Sequence, residues 1–206
     1  MLPPADPRLC HPRQKIGILA YGSLIADPGK LSPLITKRIG TETPFNVEYG
    51  RISETRGGAP TLVPHERGAR VKAQILILAE NVPFDRARNL LWLRERRKED
   101  SGETYVEGNG PNDVLVREWK ECPWVDTVLY TDFNATGKKA LNAEELARHA
   151  ISSVAKAKPG MDGITYLQNA ENAGIKTPLT ATYQAQILKH TDTQSLQKAL
   201  KKAKSL

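Results

Sequence analysis

Two stretches of the chain carry residue types that could do chemistry together. The first is Tyr21-Gly22-Ser23-Leu24, which ends a short apolar run at 16–21. A glycine at the end of a strand lets successive backbone N–H groups point into a concavity, where they hold a carboxylate or stabilise an oxyanion. The second stretch is the charged run at 94–100, which contains Glu95 and Glu99. A carboxylate beside an anion cradle is equipped for general acid–base catalysis.

Of the two glutamates, the spacing favours Glu95. It follows Leu91 by four residues and Ala87 by eight, so it continues the apolar stripe of a predicted helix toward the interior. Partial removal from water makes a carboxylate a better base. Glu99 lies four residues farther along the same helical face and is the alternative. The structural alternative for the whole charged run is a solvated helix end.

The elements that must position these residues are strands in the first half of the chain and helices in the second. Strands are predicted at 16–21, 45–51, 71–79, 104–106, 114–119 and 125–133, with a helix at 84–98 among them. Later helices are predicted at 146–157, 164–173 and 179–188, with a basic helix in the tail. This order favours an α+β domain over a doubly wound βαβ fold. The expected sheet is mixed and mostly antiparallel, either open or closed into a small barrel, with flanking helices.

Local signals mark helix ends and the domain organisation. Asn142 is followed three residues later by Glu145, which is the pattern of a capping box. We interpret 1–14 as a flexible proline-rich start, 15–190 as the domain and 191–206 as a basic C-terminal helix.

The chain resembles the γ-glutamylcyclotransferase-like family, which includes ChaC-type glutathione-degrading enzymes. The similar segments follow the order in which the family has them, and ordered agreement carries more weight than any single motif. They are the strand and Tyr-Gly-Ser-Leu turn at 16–24 and the stretches at 51–64, 71–78, 90–106 and 163–187.

The resemblance implies a cyclisation that converts a γ-glutamyl group to 5-oxoproline and releases an amine, without a metal or cofactor. Residues Tyr21, Gly22, Ser23 and Leu24 would cradle the γ-glutamyl group, and Tyr105 would assist substrate binding. The matching Arg-Glu dipeptide makes Glu95 the general acid/base. A second register, which aligns Trp92-Leu93 with the family's Tyr-Leu, puts Arg97 at that position and leaves Glu99 as the nearest substitute.

The expected ligand is therefore a small γ-glutamyl compound, and the released half is open: Cys-Gly, another amino acid, a polyamine or an ε-lysyl group. Two alternatives stand beside the enzyme: a non-catalytic small-ligand binder of the same fold and a basic nucleic-acid-associated protein. Other enzyme classes lack their motifs, since no GxSxG, GxGxxG or GxxxxGK[ST] string occurs.

Composition limits the remaining function classes. The net charge is +7, and part of it lies in the tail at Lys198, Lys201, Lys202 and Lys204. Aromatic residues make up only 6% of the chain and none interleaves with these lysines, so nucleic-acid binding is disfavoured. Two cysteines cannot make a disulfide framework or a four-cysteine zinc site, which indicates a reducing, cytoplasmic compartment. No apolar run has the length of a signal peptide or a membrane span. The oligomeric state is not predicted.

Overall fold

The computed structural model of the protein describes residues 15–205, which form seven strands and six α-helices. The strands are β1 Ile16–Ala20, β2 Ile35–Glu42, β3 Val47–Ser53, β4 Ala59–Pro64, β5 Lys72–Leu78, β6 Val114–Trp119 and β7 Thr127–Phe133. The helices are α1 Ser23–Ala26, α2 Phe84–Glu95, α3 Ala143–Ser153, α4 Gly163–Asn172, α5 Thr180–Thr191 and α6 Leu196–Ala203. Short 3-10 turns lie at Gly29–Leu34, Glu54–Arg56 and Ala135–Gly137. The predicted N-terminal segment 1–14 lies outside the described residues.

The central sheet has five strands in the order β2-β5-β1-β7-β6. Only β1 and β7 run parallel, while the other neighbouring pairs are antiparallel. Strands β3 and β4 form a separate antiparallel pair. The prediction of a mixed, mostly antiparallel α+β fold is thus confirmed. The small barrel is wrong, because β2 and β6 end the sheet as edge strands and do not pair with each other.

Apolar side chains explain why β1 occupies the middle of the sheet. All five residues of β1 are buried, and a strand covered on both faces reads as a continuous apolar run. Helix α2 covers one face, where Leu91 and Ala87 pack with Ile18 and Leu76. Helices α3 to α6 pack with the β3–β4 pair around a second core. The site described below lies at the carboxyl end of β1, beside both cores.

The structure differs from the predicted strands at three places: one predicted strand is absent, and two observed strands were not predicted. The strand predicted at 104–106 does not form, because the backbone N–H of Tyr105 donates to the side chain of Asn89 at 2.6 Å instead of to a strand. Strand β2 was not predicted because it is a largely exposed edge strand without an apolar alternation. Strand β4 was hidden by its terminal prolines, which a two-stranded pair tolerates.

The helical half follows its local signals closely. The Asn142–Glu145 capping box is present, with both reciprocal hydrogen bonds at 2.9 Å. The tail helix forms as α6, capped by Ser195, and buries Leu196, Ala199 and Ala203 while its lysines lie on the exposed face. It packs on α4 and α5 and so belongs to the helical layer. Among residues 15–205, no helix has the length and apolar character needed to cross a membrane.

Candidate functional site

The loop after β1 turns sharply at Gly22. This residue has φ +60° and ψ −134°, a backbone conformation that side chains other than glycine rarely adopt. A Cβ built on Gly22 would lie 3.3 Å from the Tyr166 hydroxyl, so the loop also passes close to α4. The turn starts α1 at Ser23, whose first backbone N–H groups have no acceptor within the helix. The prediction of a glycine-dependent cradle at this strand end fits the observed backbone.

The end of α2 positions the second part of the site. The helix was predicted to reach residue 98 but stops at Glu95, since Arg97 adopts the left-handed conformation with φ +56°. The backbone N–H of Arg97 donates to the carbonyl of Arg94 at 3.1 Å, and the backbone N–H of Lys98 donates to the carbonyl of Leu93 at 3.0 Å. This is a Schellman ending with arginine where glycine is usual, and no glycine announces it in the sequence. Glu95 therefore occupies the last helical position, with Arg97 just beyond it.

Arg94 joins the loop and the helix end. Its side chain is only 2% exposed, and its Nη1 lies 2.5 Å from Oε1 of Glu95. Its Nη2 donates to the Ser23 hydroxyl at 3.2 Å, and its Nε donates to the backbone carbonyl of Asp27 at 2.8 Å. A buried guanidinium with several hydrogen bonds is a rigid connection. The Tyr-Gly-Ser-Leu loop and Glu95, singled out from the sequence, are thus brought together by a residue that was not.

A small inner cavity of about 60 Å³ opens beside this connection. Glu95 lines it with a side chain that is 23% exposed, together with Ser23 from the loop. The remaining lining is mostly cationic or hydroxylic: Arg51, Ser53, Thr55, Arg56, Thr61, Leu62, Arg94, Arg97, Phe133 and Tyr166. Glu95 is thus partly withdrawn from solvent, as its position on the helical stripe indicates, and four arginines surround the same space. Such a cavity attracts the carboxylate of a ligand.

Two of these arginines have no ion-pair partner among the described residues. Within residues 15–205, no carboxylate forms an ion pair with Arg51 or Arg56. The Arg51 guanidinium lies 4.1 Å above the Phe133 ring, and its buried Nε has no hydrogen-bond partner among the described residues. Burial lowers the pKa of Arg51 and of Arg56 below the usual arginine value. Both sites gain if an anionic group of a ligand fills the cavity.

Tyr21, which was predicted to cradle the ligand, lines neither the inner cavity nor the larger groove beside it, but the charge of Glu95 acts on its hydroxyl. Burial, and then the negative charge of Glu95, raise the pKa of the Tyr21 hydroxyl well above its usual value. The hydroxyl is therefore protonated at neutral pH and available as a hydrogen-bond donor. Its ring packs edge-on against Phe45 at 6.2 Å, so packing also fixes the side chain. Leu24, by contrast, is 5% exposed and packs in the core beneath the loop, where it anchors α1.

Glu99 and Tyr105 lie outside the cavity. The Glu99 carboxylate accepts the backbone N–H of Lys30 at 2.6 Å and packs over Gly29. The Tyr105 hydroxyl accepts the N–H of Val116 at 3.2 Å, and its ring packs edge-on against Trp92. Neither residue lines the inner cavity or the groove beside it. The structure thus gives both side chains structural contacts and brings neither into contact with the Tyr-Gly-Ser-Leu loop.

A larger groove adjoins the inner cavity. It encloses about 580 Å³ between α1 and α4, and it shares Ser23, Arg56, Arg97 and Tyr166 with the inner cavity. We call it the outer groove. Asp27 at its edge accepts a hydrogen bond from Arg97 at 2.7 Å, which holds the pKa of Asp27 below its ordinary value. Another depression, beside Phe45 and His65, shares no residue with either space.

None of the four arginines that line the inner cavity was assigned a binding role from the sequence. Arg51 comes from β3, Arg56 from the 3-10 turn after it, and Arg94 and Arg97 from the end of α2. Tyr166, which was also missed, comes from α4, and its hydroxyl accepts the N–H of Leu62 at 3.3 Å. These elements are distant in sequence, so no local spacing links them. The unusual density of arginine in 51–56 and 94–97 is the signal that was present.

Replacing Arg97 with glycine is expected to leave the free energy of unfolding within about 1 kcal/mol of the wild-type value. The change removes the exposed ion pair to Asp27, worth about 0–1 kcal/mol, but relieves a left-handed backbone worth about 1–2 kcal/mol. Arg97→Ala is the matched control, because it removes the same ion pair but keeps a side chain in the left-handed conformation. Urea unfolding should show Arg97→Ala less stable than Arg97→Gly by about 1 kcal/mol. Equal losses would contradict the strain at Arg97.

Comparisons of the chain with protein-family models, with curated proteins and with solved structures find no match. The function of this site must therefore be inferred from its side chains: a carboxylate, a glycine-dependent loop and a surplus of arginine around two adjoining cavities.

Proposed function

We propose that the protein is an enzyme of the γ-glutamylcyclotransferase type, which cyclises a γ-glutamyl compound to 5-oxoproline and releases its amine. One observation carries the proposal. The Glu95 carboxylate and Ser23 of the loop line one cavity and are joined through the Arg94 side chain, and Gly22 lines the adjoining outer groove. The resemblance of the sequence to that family agrees with this arrangement.

The reaction requires one general acid/base. The substrate's own α-amine has a pKa of about 7.7–8, so it must lose a proton before it attacks the γ-carbonyl carbon. The amine gives this first proton to solvent, and in the proposed step Glu95 accepts the second proton from the attacking nitrogen as the new C–N bond closes the five-membered ring. The tetrahedral intermediate then collapses, the old C–N bond breaks, and Glu95 returns the proton to the leaving nitrogen. No water is consumed, and atoms and charge balance.

Binding supplies much of the rate in such a reaction. Ring closure is intramolecular, so a cavity that holds the γ-glutamyl group of the substrate in a bent conformation removes most of the entropic barrier. In our proposal the α-carboxylate pairs with Arg51, whose charge has no acidic partner among the described residues. In the same proposal, the backbone N–H groups of the Gly22-Ser23 turn stabilise the developing oxyanion.

A second candidate function has one observation in its favour. The Arg94 ion pair at 2.5 Å already engages the Glu95 carboxylate, as expected in a protein that binds a carboxylate ligand without transforming it. The cationic cavity would serve such a binder equally well. The two candidates differ only in turnover, so a single assay separates them.

The decisive experiment is a 5-oxoproline release assay on purified protein. Glutathione, γ-glutamyl-alanine and a γ-glutamyl amine are supplied in parallel, and both 5-oxoproline and the released amine are quantified. Stoichiometric release from any one of them supports the enzyme. Binding of a γ-glutamyl compound by calorimetry without release would leave the non-catalytic binder.

Replacing Tyr105 with phenylalanine is expected to change stability and not turnover. The variant loses the hydrogen bond from Val116 N–H but keeps the packing against Trp92. We expect the free energy of unfolding to fall by about 0.5–1.5 kcal/mol, with kcat and KM within twofold of the wild type. Thermal unfolding and the release assay check the two halves. A tenfold loss of kcat/KM in a stable Tyr105→Phe protein would restore the substrate-binding role expected from the resemblance.

A further inference from the structure

We propose that Arg56 and the outer groove select the released half of the substrate: Arg56 binds a carboxylate on that half, and the apolar wall of the groove receives an apolar side chain. This inference rests on the proposed function and deepens it, because it chooses among the amines that the sequence left open. It assigns Arg56 as a specificity-determining residue.

The contacts of Arg56 hold its guanidinium ready for an anion. It lies 4.8 Å above the Tyr166 ring and donates a long hydrogen bond of 3.4 Å to the carbonyl of Met161. These contacts orient the planar group without neutralising it, and no acidic side chain of the described residues pairs with it. Arg56 also lines both the inner cavity and the outer groove. A ligand that spans the two spaces therefore passes directly by an unpaired, oriented guanidinium, which suits a planar carboxylate.

The charge of the outer groove disfavours a cationic amine. Asp27 is the one acidic residue in its lining, and it already lies 2.7 Å from Arg97 and 3.7 Å from Arg94. A polyamine or a lysine-derived amine would carry a second positive charge into a space that offers Arg56 and Arg97. Like charges in a partly dry groove repel strongly. Among the described residues, nothing in the groove is free to neutralise such a charge.

The wall of the outer groove favours an apolar side chain on the released amino acid. Five of its lining residues are apolar and come from α1, α4 and the turn before α4: Ile25, Ala26, Met161, Ala170 and Ala173. Two neutral amides, Asn169 and Asn172, complete the wall. A volume of about 580 Å³ is in the range of small-molecule pockets and exceeds what a glycine would fill. Burial of a leucine-sized side chain there favours binding, because it removes apolar surface from water.

The test is a matched pair of substrates that differ only in the carboxylate of the released half. γ-Glutamyl-leucine releases leucine, and γ-glutamyl-isoamylamine releases the same skeleton without its carboxylate. A charge-assisted hydrogen bond of about 1.5–3 kcal/mol predicts that kcat/KM of the wild type favours the leucine compound by about 10- to 100-fold. γ-Glutamyl-glycine, which keeps the carboxylate but lacks the side chain, is expected to be about tenfold poorer than γ-glutamyl-leucine.

Substitution of Arg56 assigns the preference to a residue. In Arg56→Gln the ratio between leucine and isoamylamine compounds should fall to near one, while Arg56→Lys keeps part of it. Arg148→Gln is the control, because Arg148 is an exposed arginine on α3 paired with Glu144 and far from the site in sequence. It should leave both rates and their ratio unchanged. Since the test measures a ratio of two substrates on one protein, a partly unfolded Arg56→Gln sample does not disturb it.

The outcomes separate this inference from the proposed function. No release from any γ-glutamyl compound overturns the proposed function and the inference with it. Release with equal efficiency from the leucine and isoamylamine compounds overturns the inference alone. A preference for leucine that survives in Arg56→Gln overturns the assignment of Arg56, and a preference for γ-glutamyl-glycine overturns the apolar groove.

Discussion

Replacing Glu95 with glutamine is expected to lower the rate of 5-oxoproline release by about 10²- to 10⁴-fold. Glutamine keeps the size of the side chain but cannot take the proton of the attacking amine or return it to the leaving nitrogen. Its amide oxygen still accepts from Arg94, which lies 2.5 Å from the carboxylate in the wild type, so the cavity keeps its shape. KM should therefore change much less than kcat, and steady-state kinetics of the release assay measures both.

Glu99→Gln is the matched control for this experiment. It removes the same charge four residues farther on, where the carboxylate caps the turn at Gly29 and accepts the N–H of Lys30. We expect kcat within threefold of the wild type and a modest loss of stability. The reverse pattern, an active Glu95→Gln and an inactive Glu99→Gln, would show that the second sequence register is the correct one. Full activity of both variants would place the base elsewhere.

Replacing Gly22 with valine is expected to weaken binding of a γ-glutamyl compound by about 10- to 100-fold, which corresponds to about 1–3 kcal/mol of backbone strain. Valine cannot adopt φ +60° with ψ −134° at reasonable cost, and its Cβ would approach the Tyr166 hydroxyl within 3.3 Å. The loop must then shift, so its N–H groups no longer point toward the ligand. Calorimetric titration of Gly22→Val in a Glu95→Gln background measures affinity without turnover.

Gly40→Val provides the control for the glycine substitution. Gly40 lies on the exposed edge strand β2, where an added Cβ meets nothing within 4 Å and the backbone is not left-handed. A Gly40→Val protein should bind as the wild type does. If Gly22→Val binds equally well, the strand-end loop does not cradle the ligand.

Sequence reasoning reached those parts of the molecule that local chemistry determines. The buried run that became β1, the glycine turn after it and the Asn142–Glu145 capping box each depend on neighbours within four residues. Strand β2 was missed because edge strands need no apolar alternation, and Tyr105 was assigned to a strand although Asn89 captures its backbone N–H. These errors arise where a tertiary contact overrides a local preference.

The same distinction applies to the candidate site. Gly22, Ser23 and Glu95 could be selected from residue type and spacing, and they do line the joined cavities. The arginine-rich stretches 51–56 and 94–97 are visible in the sequence, but their meeting in one cavity could not be anticipated, because Arg51, Arg56 and Arg97 come from three separate elements. Nor does any pattern announce that Arg97 would end α2 in a left-handed conformation, since that position usually requires glycine.

The buried Arg94 side chain has a consequence for how a ligand enters. It bonds at once to the Ser23 hydroxyl, the Asp27 carbonyl and the Glu95 carboxylate, so the loop cannot swing outward without breaking several charge-assisted bonds. Opening by a hinged lid is therefore costly at this edge of the sheet. The outer groove adjoins the inner cavity and offers a route into it, and a ligand arriving by that route meets a site that is already assembled. Little ordering of the protein accompanies binding, and more of the interaction energy is left for the reacting atoms.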